Sequence, residues 1–282
     1  MSNPILNDKA MREASQAGYA AGAWGPPQGA AGYAARETPI TRAPMTDGPI
    51  SAWQSSSTVM TVQGATTATG VLFVVLLAAA ALGWSMVKVS NGEIVSFPAW
   101  TIGAILVGLG LVILMRFKPQ WAKYIGFGYA VAQGLVVGAI SHAYEVYQDG
   151  IVIQAIGATV GVFAVMLFLY RTNVIKVTDR MRRIVMGATL GVAVFYGISL
   201  LINLFGGNVG FLTSTSLVSV GFSFLVAGLA AFNLALDFDF IEKGSKQGLP
   251  KQMEWVAAVG LLVTVVWLYL EILRLLSKLR DR

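Results

Sequence analysis

Seven stretches of this chain are apolar for close to 20 residues each, at about 66–87, 99–115, 121–142, 149–170, 183–205, 211–236 and 254–276. About 20 helical residues cross a bilayer's hydrocarbon core. Lipid accepts only backbones whose N–H and C=O groups are satisfied within the spanning structure, so continuous runs of this length are helices. The shorter runs abut Trp100 and Trp121, which suit interfacial anchors. The expected fold is an all-α membrane protein, a bundle of seven transmembrane helices. Composition agrees: 56% of residues are hydrophobic and 12% charged, against about 25% charged in soluble domains. The net charge of +6 is carried by loops and ends, so no nucleic-acid partner is expected; the bilayer is the first partner. The absence of cysteine excludes disulfides, thiolate nucleophiles and cysteine metal sites.

Residues 1–60 read as a separate, disordered N-terminal tail. They are rich in Gly, Ala and Pro, lack an apolar period and cannot bury enough surface to offset the entropy of ordering. Tyr19, Trp24, Tyr33 and Trp53 dot this tail either as a docking motif or as features of a plain linker. The transmembrane domain is expected over 61–282. No charged region leads into an apolar core near Met1, so no signal peptide is expected. With the N-terminus in the cytoplasm, 15 of the 20 Lys and Arg residues fall on the inner side, as the positive-inside rule requires. Arg274, Lys278, Arg280 and Arg282 are the exception, unless one span is re-entrant. Gly134 and Gly138, Gly157 and Gly161, and Gly187 and Gly191 lie four apart, a spacing suited to close helix packing. "GATVGV" at 157 recurs as "GATLGV" at 187, as coincidence or as the trace of an inverted repeat.

Ionisable groups inside apolar spans are the first functional candidates, because an ionised side chain at the bilayer centre costs about 2.5–3.5 kcal/mol or more. Glu271 in "WLYLEILRLL" lies about 17 residues into the last helix, roughly 25 Å along. Thr264, Trp267, Glu271, Arg274 and Lys278 share a face that should point into the bundle; Glu271 alternatively pairs with Arg274 near an interface. In "FNLALDFDFIEKG" at 232–244, Asp237 closes the sixth apolar run on the side of Ser216, Ser219 and Ser223. It is either a bundle acid or an interfacial acid beside Lys243. Asp239 points roughly the other way and reads as solvated. Arg116 in "LMRFKPQW" ends the second run at about the depth of Asp237, as its cationic partner or as a plain inner-side base. His142, the one histidine, cannot build a metal site alone; it either titrates near neutral pH or is an inert interfacial residue. No cofactor is implied. No phosphate-binding loop, zinc-protease or nucleophile-elbow motif occurs, and no base sits beside a span serine, so no enzyme is expected.

Five segments resemble the Bax inhibitor family, also called the transmembrane Bax inhibitor motif family, and most of all its actinobacterial branch. They are "SNPILND", "MTVQGATTATG", "YAVAQGLVVGAIS", "LDFDFIEKG" and "WLYLEILRLL". The resemblance implies seven helices with the last near the centre and residence in the bacterial cytoplasmic membrane. It also implies a pH-sensitive Ca²⁺ leak, in which two acids on helices six and seven form a proton-sensing pair and an arginine closing helix two latches to them. Residue by residue, those roles fall on Asp237, Glu271 and Arg116. Glu271 stands where the pattern usually has Asp, and Gln133 where relatives often carry an acid. A plain hairpin around residue 247 would put Asp237 opposite about Ala257, leaving Glu271 roughly 20 Å deeper.

The leading expectation is therefore a proton-gated cation leak, for Ca²⁺ or another hard cation. Such ions take oxygen ligands, and Asp237, Glu271 and the serine stripe supply oxygens. The alternative is a non-conducting regulator whose tail binds a membrane protease or another membrane-protein partner.

Overall fold

The computed structural model describes residues 59–90, 93–96, 98, 100–207 and 210–282. The tail assigned to 1–60, with its aromatic residues, lies outside them except for its last two positions. Among the described residues, seven helices are long and apolar enough to cross a membrane. They are α1 (Val62–Ser85), α2 (Trp100–Phe117), α3 (Ala122–Tyr147), α4 (Ile151–Arg171), α5 (Asp179–Leu204), α6 (Leu217–Lys246) and α7 (Met253–Arg280). The α1–α2 link carries a feature that the apolar pattern does not announce, an antiparallel ribbon of β1 (Lys88–Ser90) and β2 (Glu93–Ser96).

Local chemistry sets the boundaries. Thr61, Thr178 and Ser216 cap α1, α5 and α6, each side-chain oxygen accepting from a backbone N–H of the first turn. Glu145 caps α4, accepting from Gly150 N at 2.7 Å and Val152 N at 3.0 Å. The sequence reading ends the sixth span at 236, but α6 continues to Lys246. Its acids are not an exit into water: Asp239–Lys243 and Glu242–Lys246 are ion pairs at i,i+4, which support a helix. The chain breaks only at Gly248, in the left-handed region at φ +65°, followed by Pro250.

α7 is central. Fourteen of its residues are buried, against eleven in α3 and in α6, and it packs on α6, α1, α4 and α3. On one flank α1 and α3 meet backbone to backbone. A Cβ on Gly83 would overlap the Leu135 carbonyl, one on Gly134 the Leu76 carbonyl and one on Gly138 the Ala80 carbonyl. Of the three glycine pairs expected to mark close packing, only Gly134/Gly138 does so. Gly157, Gly161, Gly187 and Gly191 have nothing within 4 Å of a Cβ, because those faces turn away from the bundle.

The start of the described chain is clamped to the α6–α7 turn. Val59 bridges Pro250, Met60 N donates to Leu249 O at 2.6 Å, and the Met60 side chain is buried. Glu254, in the first turn of α7, accepts from Thr61 N and Thr61 Oγ1, both at 2.9 Å. Gly64 leaves room for its carboxyl: a Cβ there would overlap it.

Candidate functional site

The site lies where α5, α6 and α7 meet, and side chains of all three build it. Glu271 is 1% exposed. Its Oε1 accepts from Tyr196 Oη at 2.8 Å and from Arg274 Nη1 at 2.9 Å, while Arg274 also donates to Tyr196 Oη at 2.7 Å. The guanidinium lies over the Tyr196 ring, 5.0 Å from its centroid, a cation–π contact that shares the charge with the aromatic face. The Glu271–Arg274 pairing weighed from the sequence is present, but inside the bundle, and Tyr196 completes it from α5. Glu271 Oε2 is inaccessible to solvent and has no hydrogen-bond partner among the described residues.

Asp237 faces α7 from α6. A Cβ on Gly260 would stand 3.8 Å from its Oδ1, and Thr264, whose hydroxyl donates to the Gly260 carbonyl at 3.2 Å, flanks the carboxyl. Asp237 Oδ2, like Glu271 Oε2, is buried without a partner among the described residues. The two acids do not form one pair: they share no hydrogen bond, and the helix register separates them. α6 and α7 are antiparallel, with residue 237 facing 260 and residue 219 facing 278. Glu271 is then level with about residue 226, eleven residues, or about 16 Å, from Asp237. The turn at Gly248–Pro250 moves Asp237 opposite Gly260, rather than Ala257, but does not close the gap. A Ca²⁺ ion held by both acids at once does not fit this register, and the described residues bring no three His, Asp or Glu side chains together.

Asp239 is corrected from solvated to buried, at 5% exposed. It accepts from Arg182 of α5 at 2.7 Å and pairs with Lys243 at 2.9 Å. The α6 backbone continues past it, so it faces α5 and not water. Arg116 is exposed, and no hydrogen bond or ion pair among the described residues joins it to Asp237 or Glu271. α2 packs on α3, and its end does not bring the arginine to the acids. Gln133 is half-buried and leans on Gly108 of α2. His142 ties α3 to α1: its Nδ1 lies 2.8 Å from Trp84 O, and its ring stacks on the indole, centroids 4.6 Å apart. Both make helix-packing contacts and lie outside the acid cluster.

Sequence reasoning missed Tyr196, Thr189 and Arg182. They recur every seven residues on α5, a spacing that keeps them on one side of a helix. All three reach polar partners in the bundle: Arg182 to Asp239, Thr189 to Asn233 at 2.8 Å, Tyr196 to Glu271 and Arg274. Beside them a crevice of about 220 Å³ is lined by Thr189, Val192, Ala193, Tyr196 and Trp267. α5 buries little else; Val185 and Ser199 are its buried residues. Lys278, the last residue of the polar stripe expected to point inward, does so: it is 4% exposed and turned onto Ser219 and Ser223. With Arg274 and Lys278 inside the bundle, half of the basic group that opposed the charge bias leaves the loop tally.

No curated protein and no solved structure matches the chain. The Bax inhibitor 1 like family matches residues 3–281, nearly the whole chain, and the seven-helix bundle with a central last helix agrees. This multi-pass membrane protein belongs to the Bax inhibitor 1 like family.

Proposed function

We propose that the protein is a proton-sensitive cation leak of the cytoplasmic membrane, with Ca²⁺ among its ions and its N-terminus in the cytoplasm. Asp237 and Glu271 sense protons separately, and α5 is the moving helix. The observation that carries this reading is the pair of orphaned oxygens, Asp237 Oδ2 and Glu271 Oε2. Buried polar atoms are nearly always bonded, and carboxylates inside a membrane span mark function by default. A proton is the smallest species that changes their state. Protonating Glu271 removes the charge that holds Arg274 and, through Tyr196, the upper half of α5. The expected sign is a leak that rises as pH falls.

Ca²⁺ and K⁺ flux into proteoliposomes tests the reading. Wild type should leak more at pH 6 than at pH 8, and Glu271→Gln should leak at pH 8 as wild type does at pH 6. Asp237→Asn should flatten the remaining pH dependence. Equal flux from wild type and both variants at both pH values sinks the proposal. Arg116→Ala separates this arrangement from a latch at the end of α2: here its pH profile stays that of wild type.

A further inference from the structure

Lys278 is buried near the end of α7, yet no salt bridge among the described residues includes it. Its ammonium donates to Ser219 Oγ at 2.8 Å and to Ser223 Oγ at 2.9 Å, and reaches Ser219 O at 3.5 Å. Both serines are almost fully buried, at 0% and 1% exposed. Ser219 Oγ gives its own proton to Phe211 O at 2.7 Å, so its lone pairs are turned to the ammonium. On the same face of α7, Arg274 lies one turn back and Glu271 is already bonded to it. Removing an ammonium from water is costly unless its donors are met, and it has three donors and no acceptor. Here three neutral oxygens meet three N–H groups.

We propose that Ser219 Oγ, Ser223 Oγ and the Ser219 carbonyl form a monovalent-cation site between α6 and α7, which the chain fills with its own ammonium as a tethered cation. Uncharged oxygens converging on a single desolvated charge are the donor set that hard cations use. An ammonium on the end of α7 satisfies the set without an ion from solution. The site stands apart from the leak. Its consequence for flux rests on the leak reading: a cation following the polar face of α7 meets oxygens already taken and a fixed positive charge.

Chemical rescue tests the site without reading conduction. Lys278→Ala removes the tethered ammonium and leaves a channel of matching length. In purified full-length protein in detergent, this variant should melt several degrees below wild type in choline chloride. At matched ionic strength n-propylammonium should restore half or more of the difference and saturate, with wild type unresponsive. Tetramethylammonium, which has no N–H, should not restore it, and the effect should vanish when Ser219→Ala and Ser223→Ala are added. No recovery, equal recovery with both cations, or recovery that survives loss of the serines overturns the proposal. If Lys278→Ala does not fold, Lys278→Met takes its place in a double-mutant cycle. The paired serine substitutions should lower the melting temperature of wild type by more than that of Lys278→Met, where only the Ser219–Phe211 bond is left to lose; the same shift in both backgrounds overturns the site. Failure of the leak reading would show instead as absent wild-type flux, which melting does not register.

Discussion

On one flank of α7, α1 and α3 approach so closely that a Cβ at Gly83, Gly134 or Gly138 would overlap the opposing backbone. On the other, α5 reaches the bundle through side chains: Arg182 to Asp239, Thr189 to Asn233, Tyr196 to Glu271 and Arg274. The difference matters because lipid is as apolar as leucine. Helices in a bilayer associate through close packing and interhelical hydrogen bonds, with no hydrophobic drive between them. Packing does not respond to protons, and carboxylate contacts do. A bundle with one flank of each kind has a fixed frame and a helix attached through ionisable side chains. The buried acids repeat the contrast. Glu254, at the end where α7 meets α1, accepts two hydrogen bonds from Thr61. Asp237 and Glu271, both deeper in the bundle, each keep an oxygen with no partner among the described residues.

The sharpest way to break this comparison is to immobilise α5. The chain has no cysteine, so Thr189→Cys with Asn233→Cys gives one addressable pair across the α5–α6 seam. A short bifunctional thiol reagent should abolish the rise in flux at pH 6, and a reductant that cleaves the linker should restore it. Full acid-stimulated flux through cross-linked protein would remove α5 from the mechanism.

Next in size is Arg274→Ala, which strands a buried Glu271 carboxylate and leaves Tyr196 without its second partner. Removing one member of a buried pair costs about 3–5 kcal/mol, read as thermal unfolding in detergent at pH 8. At pH 6, where a proton can take the place of the guanidinium, the deficit should shrink. A deficit independent of pH would mean that Arg274 acts by packing alone.

A valine at Gly138 and a valine at Gly191 set the close α1–α3 seam against the outward face of α5. Gly138→Val must push α3 off Ala80 and should cost about 1–3 kcal/mol or more, as overpacking does. Gly191→Val, with open space around it, should stay within about 0.5 kcal/mol of wild type. Equal costs would show that α5 is packed as tightly as α3.

How much of this could be read from the sequence follows from the same physics. The seven spans were legible because hydrocarbon thickness fixes their length. The fate of Asp237 was not: three acids after a long apolar run look like an exit, and only the i,i+4 lysines and the delayed breakers at Gly248 and Pro250 say that α6 continues. Glu271 and Arg274 were legible as a polar stripe on one helix. Tyr196 was not, since a lone tyrosine in an apolar run carries no sign of its partner until α5 is placed beside α7. Lys278 was legible as the end of that stripe, yet the charge count set it on the outer side, because that count does not register the serines one helix away that take it in.

The smallest effect tests whether α5 is held by few contacts or by many. Thr189→Val keeps the volume nearly constant and removes the hydroxyl that accepts from Asn233 Nδ2, which also donates to Leu229 O at 2.9 Å. Because that second acceptor remains on α6 itself, the amide is not orphaned, and the cost should be near the average for an interhelical hydrogen bond in a membrane, about 0.6 kcal/mol. Stability will barely register it. Flux will, if α5 is pinned at three heights and the middle pin weakens: the pH at which the leak is half-maximal should move upward, because less protonation is then needed to free the helix. A shift to lower pH, or a Thr189→Val profile that overlays wild type while Glu271→Gln changes it, would place the whole attachment at Tyr196.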